Sequence, residues 1–124
     1  MEQMTCILLI DDDEDMLMLC KMWLKKAGYS VITATSGAEG IELIKSSSPA
    51  LVLLDYAMPG MNGIETLKAI RSDDAIKNTP VIFRTGVDDG SMTDEINELG
   101  PQGILPKSEG KAALLSAVAD LVSK

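Results

Sequence analysis

Histidine is absent from the 124 residues. That removes imidazole general-base catalysis, histidine metal ligation and serine–histidine–aspartate chemistry together. Cysteine occurs twice, at Cys6 and Cys20, each inside an apolar segment. Both read as buried free thiols of a reducing, cytoplasmic compartment rather than as a disulfide. Zinc would lack ligands. Basic residues number 11 against 19 acidic ones, a net charge of −8 with no basic run. No direct nucleic-acid partner and no membrane partner is therefore expected. No apolar run approaches the roughly 20 residues of a membrane span, and no signal-peptide pattern is read.

What remains is a globular composition, 46% hydrophobic and 24% charged. Its length suits one domain over residues 1–124, with no linker, repeat or low-complexity stretch. Any chemistry falls to carboxylates, lysine, hydroxyls or a hard metal ion.

Three short apolar runs stand out: 6–10, ending at Asp11; 51–54, ending at Asp55; and 80–83, ending near Thr85. Continuous runs of this length suit strands buried on both faces of a parallel sheet. Residues 31–35 and 103–105 are shorter or more mixed and read as edge strands. Between them lie helical patterns at 13–27, ended by Gly28, and at 36–47, opened by the box Ser36-Gly-Ala-Glu39. Others follow at 63–72, at 91–99 and at 109–122. Strict alternation of five strands and five helices predicts an α/β doubly wound parallel sheet. The strongest runs belong at its centre, giving the flavodoxin-like order 2-1-3-4-5.

In such a sheet the site lies beyond the carboxyl ends of the strands. Asp11, Asp12 and Asp13 follow the first strand, Asp55 the third, Thr85 the fourth and Lys107 the fifth. Each has a plainer use. The acids at 12–15 suit a helix start, and Asp55 suits a turn before Met58-Pro-Gly. Their joint placement around one crevice is harder to reach by chance. Clustered carboxylates repel and call for a cation, for which magnesium with oxygen ligands is the natural choice. An EF-hand reading fails on register, because Met16 falls where glycine is needed and Met22 where glutamate is needed. A carboxylate beside Mg²⁺ can attack phosphorus, with a lysine offsetting the phosphoryl charge.

Four segments carry a resemblance to a known family. They are Ile7-Leu-Leu-Ile-Asp11-Asp12-Asp13, Leu51-Val-Leu-Leu-Asp55-Tyr-Ala-Met-Pro-Gly-Met-Asn-Gly63, Pro80-Val-Ile-Phe-Arg84-Thr85-Gly86 and Gly103-Ile-Leu-Pro-Lys107. In this order and spacing the chain resembles the receiver domain of two-component response regulators over nearly its whole length. The resemblance implies a phosphorelay switch with Asp55 as phospho-acceptor. It implies Mg²⁺ held by Asp12, Asp55 and the Ala57 backbone carbonyl, with Asp11 acting through water. Thr85 and Gly86 would meet the phosphate as switch residues, and Lys107 would contact it. The donor would be a histidine kinase or histidine phosphotransfer protein. An unidentified output protein would read the surface of the fourth helix, fifth strand and fifth helix. The chain would catalyse only its own phosphorylation and dephosphorylation.

The departures are specific. Ile104 stands where the family usually has an aromatic switch residue, so the readout rests on Thr85. Ser108 follows Lys107 where proline is usual. Ala57 and Val87 occupy the positions that tune dephosphorylation, and neither can orient a water, so slow self-hydrolysis is expected. The first helix is unusually apolar, and Met18 and Met22 are expected to dock the phosphodonor. Arg84 ends an apolar strand, and its stem is expected to pack while its head reaches water or an acid. A phosphorylation-independent binding module on the same fold is the alternative. A flavin carrier would need a Ser/Thr/Gly-rich phosphate loop after the first strand and aromatics to stack on the ring, whereas this chain has acids there and 3% aromatics. An aspartate-nucleophile phosphatase would need an acid at Ala57.

Overall fold

Apolar runs with no polar face have to be covered on both sides, and the five strands here pair in parallel to leave two faces for helices. The computed structural model describes residues 5–56, 62–85, 98–106 and 110–122, the side chains of residues 85 and 106 excepted. The strands are β1 (Cys6–Ile10), β2 (Ser30–Ala34), β3 (Leu51–Asp55), β4 (Val81–Thr85) and β5 (Gly103–Pro106). The helices are α1 (Glu14–Lys26), α2 (Gly37–Ser47), α3 (Gly63–Ser72) and α4 (Gly110–Val122). The sheet order is β2-β1-β3-β4-β5, with the two mixed strands at its edges as the sequence requires. Most of the helix expected at 91–99 lies outside the described residues, so α4 is the fifth helix of the sequence pattern.

Side-chain alternation divides the core into two layers. Leu8, Ile10, Val52, Leu54, Val81 and Phe83 face Ile44 of α2 and Ile64, Leu67 and Ile70 of α3. Ile7, Leu9, Leu51, Leu53 and Ile82 face Leu17, Cys20 and Leu24 of α1 and Leu114 and Val118 of α4. The β1–β3 register pairs Ile10 with Leu54, so the residues that follow both strands emerge side by side.

The helix ends explain themselves locally. Asp13 caps α1, its carboxylate accepting from the Asp15 and Met16 N–H groups at 3.0 and 3.2 Å. Ala27, not Gly28, is the C-cap, and Gly28 follows at φ +102°, a conformation glycine adopts without a Cβ penalty. The Ser36–Glu39 box is half formed. Ser36 accepts from the Glu39 N–H, but the Glu39 carboxylate accepts from the Thr35 N–H, one residue outside the expected partner. A complete capping box opens α3, where Asn62 and Glu65 each accept the other's backbone N–H. The expectation of two buried thiols holds for Cys20, whereas Cys6 is half-buried because β1 begins at it on the sheet's outer end.

Candidate functional site

β1 and β3 end in acids because each strand stops where the apolar run stops. Asp11 continues the pairing by donating its N–H to the Ala34 carbonyl at 3.1 Å, and its carboxylate accepts from the Asp13 N–H at 3.0 Å. Asp12 projects into solvent between these two anchored residues. Asp55 is the last residue of β3 and is buried, like Asp11. One carboxylate oxygen from each of Asp11, Asp12 and Asp55 lies within 4.8 Å of the other two. Two buried acids and one exposed acid make a hard-oxygen cluster with one open side. That donor set fits Mg²⁺, which takes one or two carboxylates and keeps several waters.

The wall beyond Asp55 is built by β4 and α3. Arg84 sits in register beside Asp55, and its carbonyl accepts the Tyr56 N–H at 3.0 Å. The Tyr56 carbonyl in turn accepts the Gly63 N–H at 2.9 Å. A Cβ on Gly63 would fall on the Asp55 carbonyl oxygen and 2.7 Å from Tyr56 Cα, so only glycine lets α3 start this close to the strand end. Below the rim, a crevice of about 10 Å³ is lined by Asp11, Asp55, Arg84, Met16, Cys20 and Leu53, among others.

The structure therefore gathers three of the expected site residues, Asp11, Asp12 and Asp55, at the carboxyl edge. Thr85 ends β4 opposite Pro106 of β5, on the same edge. Ala57, Gly86 and Lys107 lie outside the described residues. Ile104 is on edge strand β5, paired with Phe83, and is exposed. Met18 and Met22 are exposed on α1, at 66% and 47%.

Arg84 packs as expected but departs from the expectation that its head reaches water. Its head does not reach water: the residue is 5% exposed, and Nη1 donates to Cys20 Sγ at 3.3 Å. The side chain shares a face with Asp55, and α1 covers that face. Arg84 and Cys20 line the crevice below the rim, although sequence reasoning placed neither among the site residues. The available signal was a charge inside an otherwise apolar run.

A parallel 2-1-3-4-5 sheet with an acid cluster beyond β1 and β3 defines a doubly wound α/β domain with a candidate cation site at its carboxyl edge. The receiver-domain model of response regulators matches residues 7–119, and the chain belongs to that family. The transcriptional regulatory protein CpxR of Escherichia coli is 39% identical over 117 residues, 93% of this chain and 48% of CpxR. The chain thus spans about half the length of that relative. Sporulation initiation phosphotransferase F of Bacillus subtilis is 36% identical over 94 residues, 76% of this chain and 74% of its own. Among solved structures, the chemotaxis protein CheY4 of Vibrio cholerae superposes with a TM-score of 0.89 at 28% identity, covering 96% of this chain and 99% of that one. A CheY-like receiver domain protein from Methanospirillum hungatei gives 0.88 at 25% identity, covering 95% and 93%. Receiver domains are signalling domains, so this chain is one of two-component signal transduction. No helix among the described residues is long and apolar enough to cross a membrane.

Proposed function

We propose that this receiver domain, spanning residues 1–124, is switched by Mg²⁺-dependent phosphorylation of Asp55. The observation that carries the reading is the convergence of Asp11, Asp12 and Asp55 oxygens within 4.8 Å of one another. Asp12, Asp55 and the Ala57 carbonyl would hold the ion, with Asp11 acting through water. Bound there, Mg²⁺ supplies Lewis-acid stabilisation of the charge on the transferring phosphoryl oxygens. An Asp55 carboxylate oxygen forms the new P–O bond. The P–N bond to the donor's phosphohistidine breaks, and its electron pair stays on the donor imidazole. Burial of Asp55 excludes competing water from the attacking atom. Lys107 pairs with the phosphoryl oxygens, while Thr85 and the Gly86 backbone follow the phosphate once it is present.

Phosphorylation adds about −1.5 to −2 charge and three acceptor oxygens at Asp55. Movement at Thr85 passes along β4 to the surface of β5 and α4. A change in population of that surface's states controls an output protein. Ile104 cannot report by ring rotation, so its edge position contributes apolar surface only. The donor would be a histidine kinase or histidine phosphotransfer protein, acting in the cytoplasm.

The test is intact-mass analysis after incubation with acetyl phosphate and Mg²⁺. One phosphoryl adduct is expected on the wild type, and none on Asp55→Asn or with Mg²⁺ chelated. An equal adduct on Asp55→Asn would overturn the assignment.

A further inference from the structure

Arg84 is the buried cation of the described central strands, set in an otherwise apolar run of β4. It is 5% exposed, in register with Asp55, and packed on the α1 side of the sheet with Leu53 and Ile82. Among the described residues its Nε has no hydrogen-bond partner, and the acceptor of Nη1 is the Cys20 sulfur at 3.3 Å, a weak one. A guanidinium carries its charge in proteins whatever its burial. A full positive charge is thus held in the crevice that Asp11 and Asp55 line from above. An apolar side chain of similar volume would pack there at lower cost, and a local rule broken beside a site points to a use at that site.

On the reading of Asp55 as a Mg²⁺-dependent phospho-acceptor, we propose that Arg84 is a positioning residue for it. Arg84 is a permanent cation behind the acid cluster, weakening its hold on Mg²⁺ before phosphorylation and favouring the state in which Asp55 bears the phosphoryl group. The physics is competition for the same carboxylates. Without phosphate, the cluster's charge is partly offset by Arg84, and a divalent ion gains less by entering. With phosphate, added negative charge restores the demand for both cations. Arg84 therefore makes the site discriminate between its two states more sharply than the acids alone.

The experiment compares the wild type with Arg84→Met and Arg84→Gln, two neutral variants of different packing. Mg²⁺ affinity is read by titration calorimetry, and beryllofluoride affinity is read at saturating Mg²⁺. Both variants are expected to bind Mg²⁺ about tenfold more tightly and beryllofluoride several-fold more weakly. Opposite shifts are the signature, because a merely loosened site would lose both affinities together. Unchanged Mg²⁺ affinity in both variants, or parallel loss of both ligands, overturns the proposal and leaves the metal reading standing. Failure of the wild type to bind Mg²⁺ overturns both.

Discussion

The Gly63 N–H donates to the Tyr56 carbonyl at 2.9 Å, tying the first turn of α3 to the residue after Asp55. This contact holds the end of β3 against the helix, and it leaves no room for a side chain at Gly63. Gly63→Ala is therefore expected to cost about 2 kcal/mol, the range for forced overpacking. The loss appears as a lower urea midpoint at unchanged m-value. The displaced strand end should also weaken Mg²⁺ binding. A variant as stable as the wild type would show that the α3 start has room to retreat.

Arg71 fastens the far end of the same layer. Its Nε donates to the Leu99 carbonyl, Nη1 to those of Lys77 and Thr79, and Nη2 to Gly100 and to the Gln102 amide oxygen, at 2.8–3.3 Å. Burial pulls its proton affinity below the ordinary guanidinium value. Arg71→Met keeps the stem and loses the fork, so a cost of about 3 kcal/mol is expected. Amide exchange should rise in the segments 77–81 and 99–103. Arg71→Lys should restore little, because one ammonium cannot span carbonyls set for a planar fork.

Asp73 gives a pH signature away from the site. The Ala75 N–H donating to its carboxylate at 2.9 Å, and Lys45 at 3.3 Å, hold it below the usual carboxylate range. A depressed folded pKa contributes stability that is fully present above the unfolded value, about 3.9, and is lost as pH falls through the folded value. Lys45→Met is expected to raise the Asp73 pKa without abolishing the depression, because the Ala75 bond is the larger cause. Carboxyl-carbon NMR titration reads this directly. A pKa at the ordinary value in the variant would transfer the whole effect to Lys45.

Met18 and Met22 present an apolar face on α1 that no described element covers. Met18→Lys is expected to slow phosphotransfer from a phosphohistidine donor at least tenfold, about 1.4 kcal/mol of docking energy. Labelling by acetyl phosphate should be unchanged, since that donor needs no docking. Equal rates from both donors would place the docking surface elsewhere.

Sequence reasoning worked best where the signal is local. A continuous apolar run says that both faces of a strand are buried, so β1, β3 and β4 were legible as central strands. Residues at strand ends were legible as rim residues because topology sends every parallel strand the same way. It worked less well at caps. Asn62-x-x-Glu65 carries the same spacing as Ser36-x-x-Glu39, yet only the former closes reciprocally. In the latter the Glu39 carboxylate accepts from the Thr35 N–H instead of the Ser36 N–H. Arg84 was misjudged because a one-dimensional pattern gives the face of a strand and not what lies over it.

The amino-acid sequence by itself determined the sheet order, the two core layers and the candidate acids Asp11, Asp12 and Asp55. These follow from strand period, run length and the direction of parallel crossovers. Only the tertiary structure decided that oxygens 44 positions apart in sequence, on Asp11 and Asp55, come within 4.8 Å. Only it decided that the Arg84 guanidinium turns inward to Cys20 and that Met18 stays exposed. Those outcomes depend on the β1–β3 register and on where α1 rests across the sheet. Both are set by packing between segments distant in the chain, which local periodicity does not encode.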